Sequence, residues 1–183
     1  MENDRIREFL LNRTYEEMKQ ANVNRYYAEG LIDNQILSSK WFNVIVALFS
    51  TTGALSLAMK IWAKTLLPDV MEWLPLISTS IVALVSIANQ FYPIFFLKTE
   101  ELTKLIGLHT SYYIYFNRLQ DLFCLADSNK IDVIEAQERF SKLVEENSMK
   151  VTDISRIFGK INKSIEKKAV KKSDDYLNKI YNN

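Results

Sequence analysis

The sequence predicts an all-α membrane protein: a two-helix transmembrane hairpin, preceded by an N-terminal helix and followed by a C-terminal cytoplasmic helical bundle. Three observations carry this expectation. First, two stretches, Trp41 to Met59 and Trp73 to Leu97, hold no Asp, Glu, Lys, Arg or His. Each is close to the roughly 20 mostly apolar residues that a helix needs to cross a hydrocarbon core of about 30 Å, and a helix satisfies its own backbone polar groups there. Second, glycine (4) and proline (3) are scarce in 183 residues, and no alternating strand pattern with turn pairs is visible. Third, both flanks are charged and carry apolar residues at helical spacing. The alternative is a pair of buried helices in a soluble core, which a chain of this length has little mass to wrap.

The organisation that follows is residues 1–40 as an N-terminal cytoplasmic helix, 41–97 as the hairpin (41–62 and 73–97), and 98–183 as a helical region with a basic last helix. In the first part, Ile6, Phe9, Leu10, Tyr15 and Met18 recur on one helix face. Gly30 and Asp33-Asn34 mark an expected bend. No apolar core precedes Trp41, so the start does not read as a signal peptide. Trp41, Trp62 and Trp73 sit at the run ends, where indoles favour an interface, and Lys40, Lys60, Lys64 and Lys98 flank the runs and can snorkel. Pro68 and Asp69 turn the connector. Arg25, Lys40, Lys98 and Lys104 outside the hairpin, against Lys60 and Lys64 in its connector, favour cytoplasmic termini in a bacterial inner membrane. The single cysteine, Cys124, excludes an intrachain disulfide and agrees with a reducing compartment.

Beyond the hairpin, Leu102, Leu105, Ile106, His109, Tyr112, Tyr113, Phe116, Leu119, Leu122 and Phe123 form one broad stripe. Asp127-Ser128-Asn129 reads as a break, a helix from about Ile131 to Glu146 follows, and Asn147-Ser148 reads as a second break. The last helix is expected from about Val151 to Ile180, with Thr152 or Asp153 as its cap.

The sequence offers no catalytic set. One histidine and one cysteine, with no HExxH, CxxC, GxSxG or phosphate-binding loop, argue against an enzyme, and no cofactor is expected. His109 reads as a packed bundle residue. Within the two runs, Asn43, Ala47, Ser50 and Ala54 are spaced 4-3-4, and so are Thr79, Ala83, Ser86 and Gln90. Hydroxyls and amides gain nothing from lipid. Each stripe is therefore either tight helix packing or, in a homo-oligomer with a tetramer as the favoured size, the lining of a pore. Net charge is +1 and points to no partner class. Locally, Lys150, Arg156, Lys160, Lys163, Lys167, Lys168, Lys171 and Lys172 stand against only Asp153 and Glu166 between 150 and 172. Such a helix is a solvated face, a contact for a nucleotide or nucleic acid, or a contact for anionic lipid.

Arg25-Tyr26-Tyr27 before the hairpin, and His109-x-x-x-Tyr113 followed by Leu119 after it, together with the layout over residues 20–125, resemble the SLATT-type two-transmembrane effectors of bacteria. The resemblance implies a pore-forming effector of anti-phage defence, in which a partner nucleotidyltransferase makes a nucleotide signal and the effector depolarises the membrane and arrests growth. It would act as a ligand-gated ion channel with the bilayer, further copies of itself and a nucleotide or single-stranded oligonucleotide as partners. Arg156, Lys160, Lys163, Lys167, Lys168, Lys171 and Lys172 are the candidate contacts for that signal by charge placement alone, and Asn43, Ser50, Ala54, Thr79, Ala83, Ser86 and Gln90 are the candidate pore lining. A membrane-anchored helical scaffold for a protein partner and a phage holin-like pore are the alternatives.

Overall fold

A computed structural model describes residues 2–62, 70–91, 99–158 and 161–181. Every described element is a helix, so the chain is all-α: α1 (Glu2–Trp62), α2 (Val70–Phe91), α3 (Thr99–Asp127), α4 (Val133–Phe158) and α5 (Lys163–Tyr181). They form two compact units, one of Met1–Ile32 with Glu100–Asn183, the other of Asp33–Thr99.

The first unit is a four-helix assembly built on stripes of three and four. Leu10, Thr14, Met18 and Ala21 of α1, Leu105, Leu108, Tyr112, Tyr115, Phe116, Leu119, Leu122 and Ala126 of α3, Val133, Ala136 and Phe140 of α4, and Ala169, Ser173 and Leu177 of α5 are buried. Apolar stripes of this period give each helix one side to remove from water, and each large side chain so buried contributes about 1.5–3 kcal/mol. Thr14 costs little inside because its hydroxyl donates to the carbonyl of Leu10 at 2.8 Å.

The expected break at Asp127-Ser128-Asn129 is a helix end of defined chemistry. Asn129 adopts φ 55°, its N–H bonds to the Ala126 carbonyl at 3.3 Å, and the Lys130 N–H reaches back to Leu125 at 2.9 Å. This is the Schellman arrangement, with asparagine at the left-handed position. Asp132 then caps α4 by accepting the Ile134 N–H at 3.2 Å. The second expected break is not one. Asn147 and Ser148 lie inside α4; Asn147 is buried and the Ser148 hydroxyl bonds back to the Glu145 carbonyl at 2.8 Å. Polar residues that bond to their own helix need not end it. The last helix accordingly starts at Lys163 rather than near Val151, and Arg156 falls on α4, apart from the lysines of α5. Likewise α1 shows no helix break at Gly30 or Asp33-Asn34.

In the second unit, Phe42, Ile45, Val46 and Phe49 of α1 are half-buried, as are Leu74, Ile81, Val82 and Val85 of α2. Buried Gly53 faces Ser78, where an added Cβ would sit 3.4 Å from the serine Cβ. Among the described residues, no helix is long and apolar enough to cross a membrane. On that finding the expected transmembrane hairpin, its bacterial inner-membrane location with cytoplasmic termini, and the ion-channel character are corrected. α1 is long, but charged residues recur along it up to Lys40 and its uncharged part is diluted by Asn43, Ser50, Thr51, Thr52 and Gly53. α2 opens with Glu72 and Pro75 and ends at Phe91; the rest of the second run, Tyr92 to Leu97, lies outside the described residues.

Candidate functional site

The densest meeting of charged and aromatic side chains lies on the face shared by α1, α3 and α5. The Arg25 guanidinium carbon is 4.3 Å from the centre of the Tyr26 ring, 5.5 Å from Tyr113, and 5.6 Å from both Phe116 and Tyr176. Phe116 and Tyr176 themselves meet edge to face at 5.8 Å. The sequence brings this about simply: Tyr113 and Phe116 are three apart on α3, Lys172 and Tyr176 are four apart on α5, and such pairs share a helix face. Lys172 stands 5.5 Å from the other contact of the cluster, the Tyr26 ring, and pairs with Glu29 at 3.2 Å. Arg25 has no carboxylate partner among the described residues. A guanidinium within about 6 Å of aromatic ring centres is attracted by their π-faces and carries N–H donors that can bind an anion.

The ground beneath this cluster is fixed by long-range contacts between α1 and its neighbours. The Tyr27 hydroxyl accepts the Asn162 N–H at 3.0 Å, while the Asn162 side-chain oxygen accepts the N–H groups of Ser164 and Ile165 at 3.1 and 3.3 Å. Asn162 is thus the cap of α5, in place of the expected Thr152 or Asp153, and α1 holds it. Gly30 lets the two helices close, since a Cβ there would lie 2.6 Å from the Ile165 Cγ2. Further along, the fully buried Asn22 donates to the Ser173 hydroxyl at 3.1 Å, and its own side-chain oxygen has no partner among the described residues. The Ser173 hydroxyl donates in turn to the Lys19 carbonyl at 3.4 Å. Lys19 pairs with Asp174 at 2.9 Å, and that hydrogen bond raises the lysine pKa above its ordinary value. Burial, then a hydrogen bond to Glu17 at 2.9 Å, keeps the Tyr115 phenol protonated well above its usual range.

A second feature lies between α3 and α4. A cleft of about 330 Å³ has Leu122, Leu125 and Leu143 as its floor and Arg118, Asp121, Arg139, Lys142 and Glu146 around it. Arg118 reaches across to Glu146 at 3.2 Å, and Arg139 pairs with Glu135 along its own helix.

The sequence-predicted residues divide accordingly. Lys172 is in the aromatic cluster. Lys163, Lys167 and Lys171 line another side of α5 with Glu166, Asp174 and Asp175, which lowers the local positive charge there; Lys168 is exposed. The side chain of Arg156, and Lys160 altogether, lie outside the described residues. Asn43, Ser50, Ala54, Thr79, Ala83 and Ser86 are exposed in the second unit; the Gln90 side chain lies outside the described set. His109 is half-buried on α3. Among the described residues no group of His, Cys, Asp and Glu could hold a metal ion. Arg25 was visible in the sequence as a flanking charge and as a neighbour of two tyrosines; nothing in its spacing marked Tyr176, 151 positions later, as its companion. Compared with known proteins, the chain matches no family model, no curated protein and no solved structure.

Proposed function

We propose that the chain is a non-catalytic helical effector whose four-helix unit takes a phosphate-bearing nucleotide on the α1/α3/α5 face, with Arg25 and Lys172 facing its phosphates and Tyr26, Tyr113 and Tyr176 its base. The observation that carries this reading is the Arg25 guanidinium set among four aromatic rings without a carboxylate partner among the described residues. Arginine with aromatic faces is the chemistry that holds single-stranded bases and phosphates together. The notion of a nucleotide signal comes from the sequence resemblance, and the basic α5 supports it. The test is calorimetric binding of ribonucleotides and short oligoribonucleotides by the full chain at low and high salt. Binding should weaken as salt rises and should fall at least tenfold for Arg25→Ala, with Arg25→Lys unable to restore it because lysine lacks the planar fork. Binding that Arg25→Ala leaves untouched, or no binding at all, overturns the assignment.

A second reading rests on the α3/α4 cleft. Its leucine floor and alternating charged rim suit an amphipathic protein segment, as a helical scaffold for a partner would. Lys142→Glu separates the two readings: it reverses charge at the cleft rim and leaves the Arg25 cluster alone. Loss of nucleotide binding in that variant would move the site to the cleft.

A further inference from the structure

The two ends of α5 are held in different ways. Toward the end of the chain, Leu177 is buried and joins Phe116, Leu119 and Leu122 in the core. Tyr176 meets Phe116 edge to face at 5.8 Å, and Tyr181 meets Tyr15 and Phe123 in the same manner at 6.1 and 5.3 Å. Rings and a buried leucine withdraw much apolar surface from water. Among the described residues from 163 to 173, Ala169 and Ser173 alone are buried, with Ile165 half-buried beside Gly30. This half is held to α1 by polar contacts: the Asn162 N–H on the Tyr27 hydroxyl, the Asn22 amide on the Ser173 hydroxyl, and the Glu29–Lys172 pair. The ion pair is open to solvent, where such pairs hold little.

Hydrogen bonds within a protein are exchanged for bonds to water at modest net cost, whereas a buried group left unbonded is costly. The Asn22 side-chain oxygen is such a group, buried with no partner among the described residues, and lifting α5 hydrates it. Chain ends ordinarily loosen first; the packing of α5 reverses that order. We infer that α5 is a strap, seated at its C-terminal end by Tyr176, Leu177 and Tyr181, which opens over residues 163–173 as a minor state of the folded protein. Opening carries Lys172 away from Glu29 and from the Tyr26 ring, 5.5 Å from it in the closed strap, while Tyr176 stays with Phe116 near Arg25. The strap therefore decides when a cation of α5 stands beside Arg25. That consequence for nucleotide binding rests on the function proposed above; the opening itself does not. A helical segment this short is marginal in water once released from its support, so the open strap loses amide protection as a unit.

The experiment is amide hydrogen exchange, residue by residue, on the full chain without ligand. After correction for intrinsic rates, residues 167–173 should exchange about tenfold faster, or more, than residues 178–181 and than residues 116–119 of α3. Exchange at 178–181 as fast as at 167–173 is ordinary loosening of a chain end and overturns the strap. So does exchange of all of α5 at the rate of α3. Two variants test the cause. Tyr27→Phe removes the acceptor of the Asn162 N–H, and Gly30→Ala sets a methyl 2.6 Å from the Ile165 Cγ2. Each should speed exchange at 167–173 several-fold and leave 178–181 unchanged; equal acceleration of both halves means that α5 leaves as a whole and overturns the hinge. Thiol labelling gives an independent measure. With the free Cys124 changed to Ser, Ala169→Cys should react with a disulfide reagent about tenfold faster than Ala136→Cys, each replacing an alanine at 1% exposure; equal rates overturn the opening. Calorimetry with nucleotide is read separately. A nucleotide that binds and leaves exchange at 167–173 unchanged overturns the strap's control of the site. A chain that binds none fails the proposed function, and its exchange pattern still decides the strap.

Discussion

The two units solve opposite problems with the same kind of residue. In the four-helix unit, Phe116, Leu119 and Met18 are sealed at 0% exposure, and the polar groups taken inside are mostly bonded: Thr14 to its own helix, Asn22 to Ser173, Tyr115 to Glu17. In the unit of Asp33–Thr99, Leu48, Leu55 and Leu84 are exposed at 60, 65 and 66%, and the hydroxyls of Thr51, Thr52, Ser78 and Thr79 bond back to their own helices. The difference teaches where information lies. The first unit is specified by contacts within one chain. The second bonds its described hydroxyls to its own helices and leaves large apolar side chains exposed.

The largest break in this comparison is Phe116→Ala. Phe116 is fully buried and lies against Tyr176 and the Arg25 guanidinium. Truncating a buried phenylalanine costs roughly 3–5 kcal/mol in transfer and cavity terms, so denaturant titration should show a clearly lower midpoint. Leu84→Ala, by contrast, should leave that midpoint within about 0.5 kcal/mol, the range of surface changes. An equal loss in both variants would mean that the two units unfold as one and that the division between them has no energetic content.

Much of the first unit was legible in the sequence because its stripes are long and regular. Leu105, Phe116, Leu119 and Leu122 were placed on one face by spacing alone, and all four are buried. The Asp127-Ser128-Asn129 end was legible because asparagine tolerates the left-handed conformation it adopts. Asn147 misled because its polarity suggests a turn, while the structure buries it beside Tyr115, a contact between helices that no local pattern encodes. The Asn162 cap was missed for the same reason: its own N–H is anchored by Tyr27, 135 positions earlier. The apolar runs were legible for length and lack of charge, but their content of Asn43, Ser50, Thr51, Thr52 and Gly53 in α1, and of Glu72 and Pro75 at the start of α2, leaves no described helix apolar enough to cross a membrane.

A sharper probe of middle size is the Asn22–Ser173 pair. Ser173→Ala removes the acceptor of the Asn22 amide, whose side-chain oxygen already lacks a partner among the described residues. A wholly unsatisfied buried amide costs about 1–3 kcal/mol. Asn22→Leu with Ser173→Ala removes both polar partners at similar shape and should recover most of that loss. A double variant no more stable than Ser173→Ala would show that packing, rather than polar satisfaction, governs this contact. Thermal unfolding of the four proteins of the cycle gives the coupling directly.

The smallest effect is the same substitution made once in each unit, and its sign should differ. Alanine is favoured over glycine inside a helix by about 1 kcal/mol. At Gly53 the new methyl would meet the Ser78 Cβ at 3.4 Å, an ordinary van der Waals contact, so Gly53→Ala should keep that gain and raise helical stability slightly. At Gly30 the methyl would lie 2.6 Å from the Ile165 Cγ2. That atom is one bond from the stiff β-branch of isoleucine, so it cannot swing aside as the end of a long side chain can. Overpacking of this kind costs about 1–3 kcal/mol, which outweighs the propensity gain, and Gly30→Ala should lower the unfolding midpoint. Gly30→Ala with Ile165→Ala opens the space and should restore part of the loss. A stabilising Gly30→Ala would show that α5 can shift along α1 without penalty, and that Tyr27 and Asn162 do not hold its start in one place.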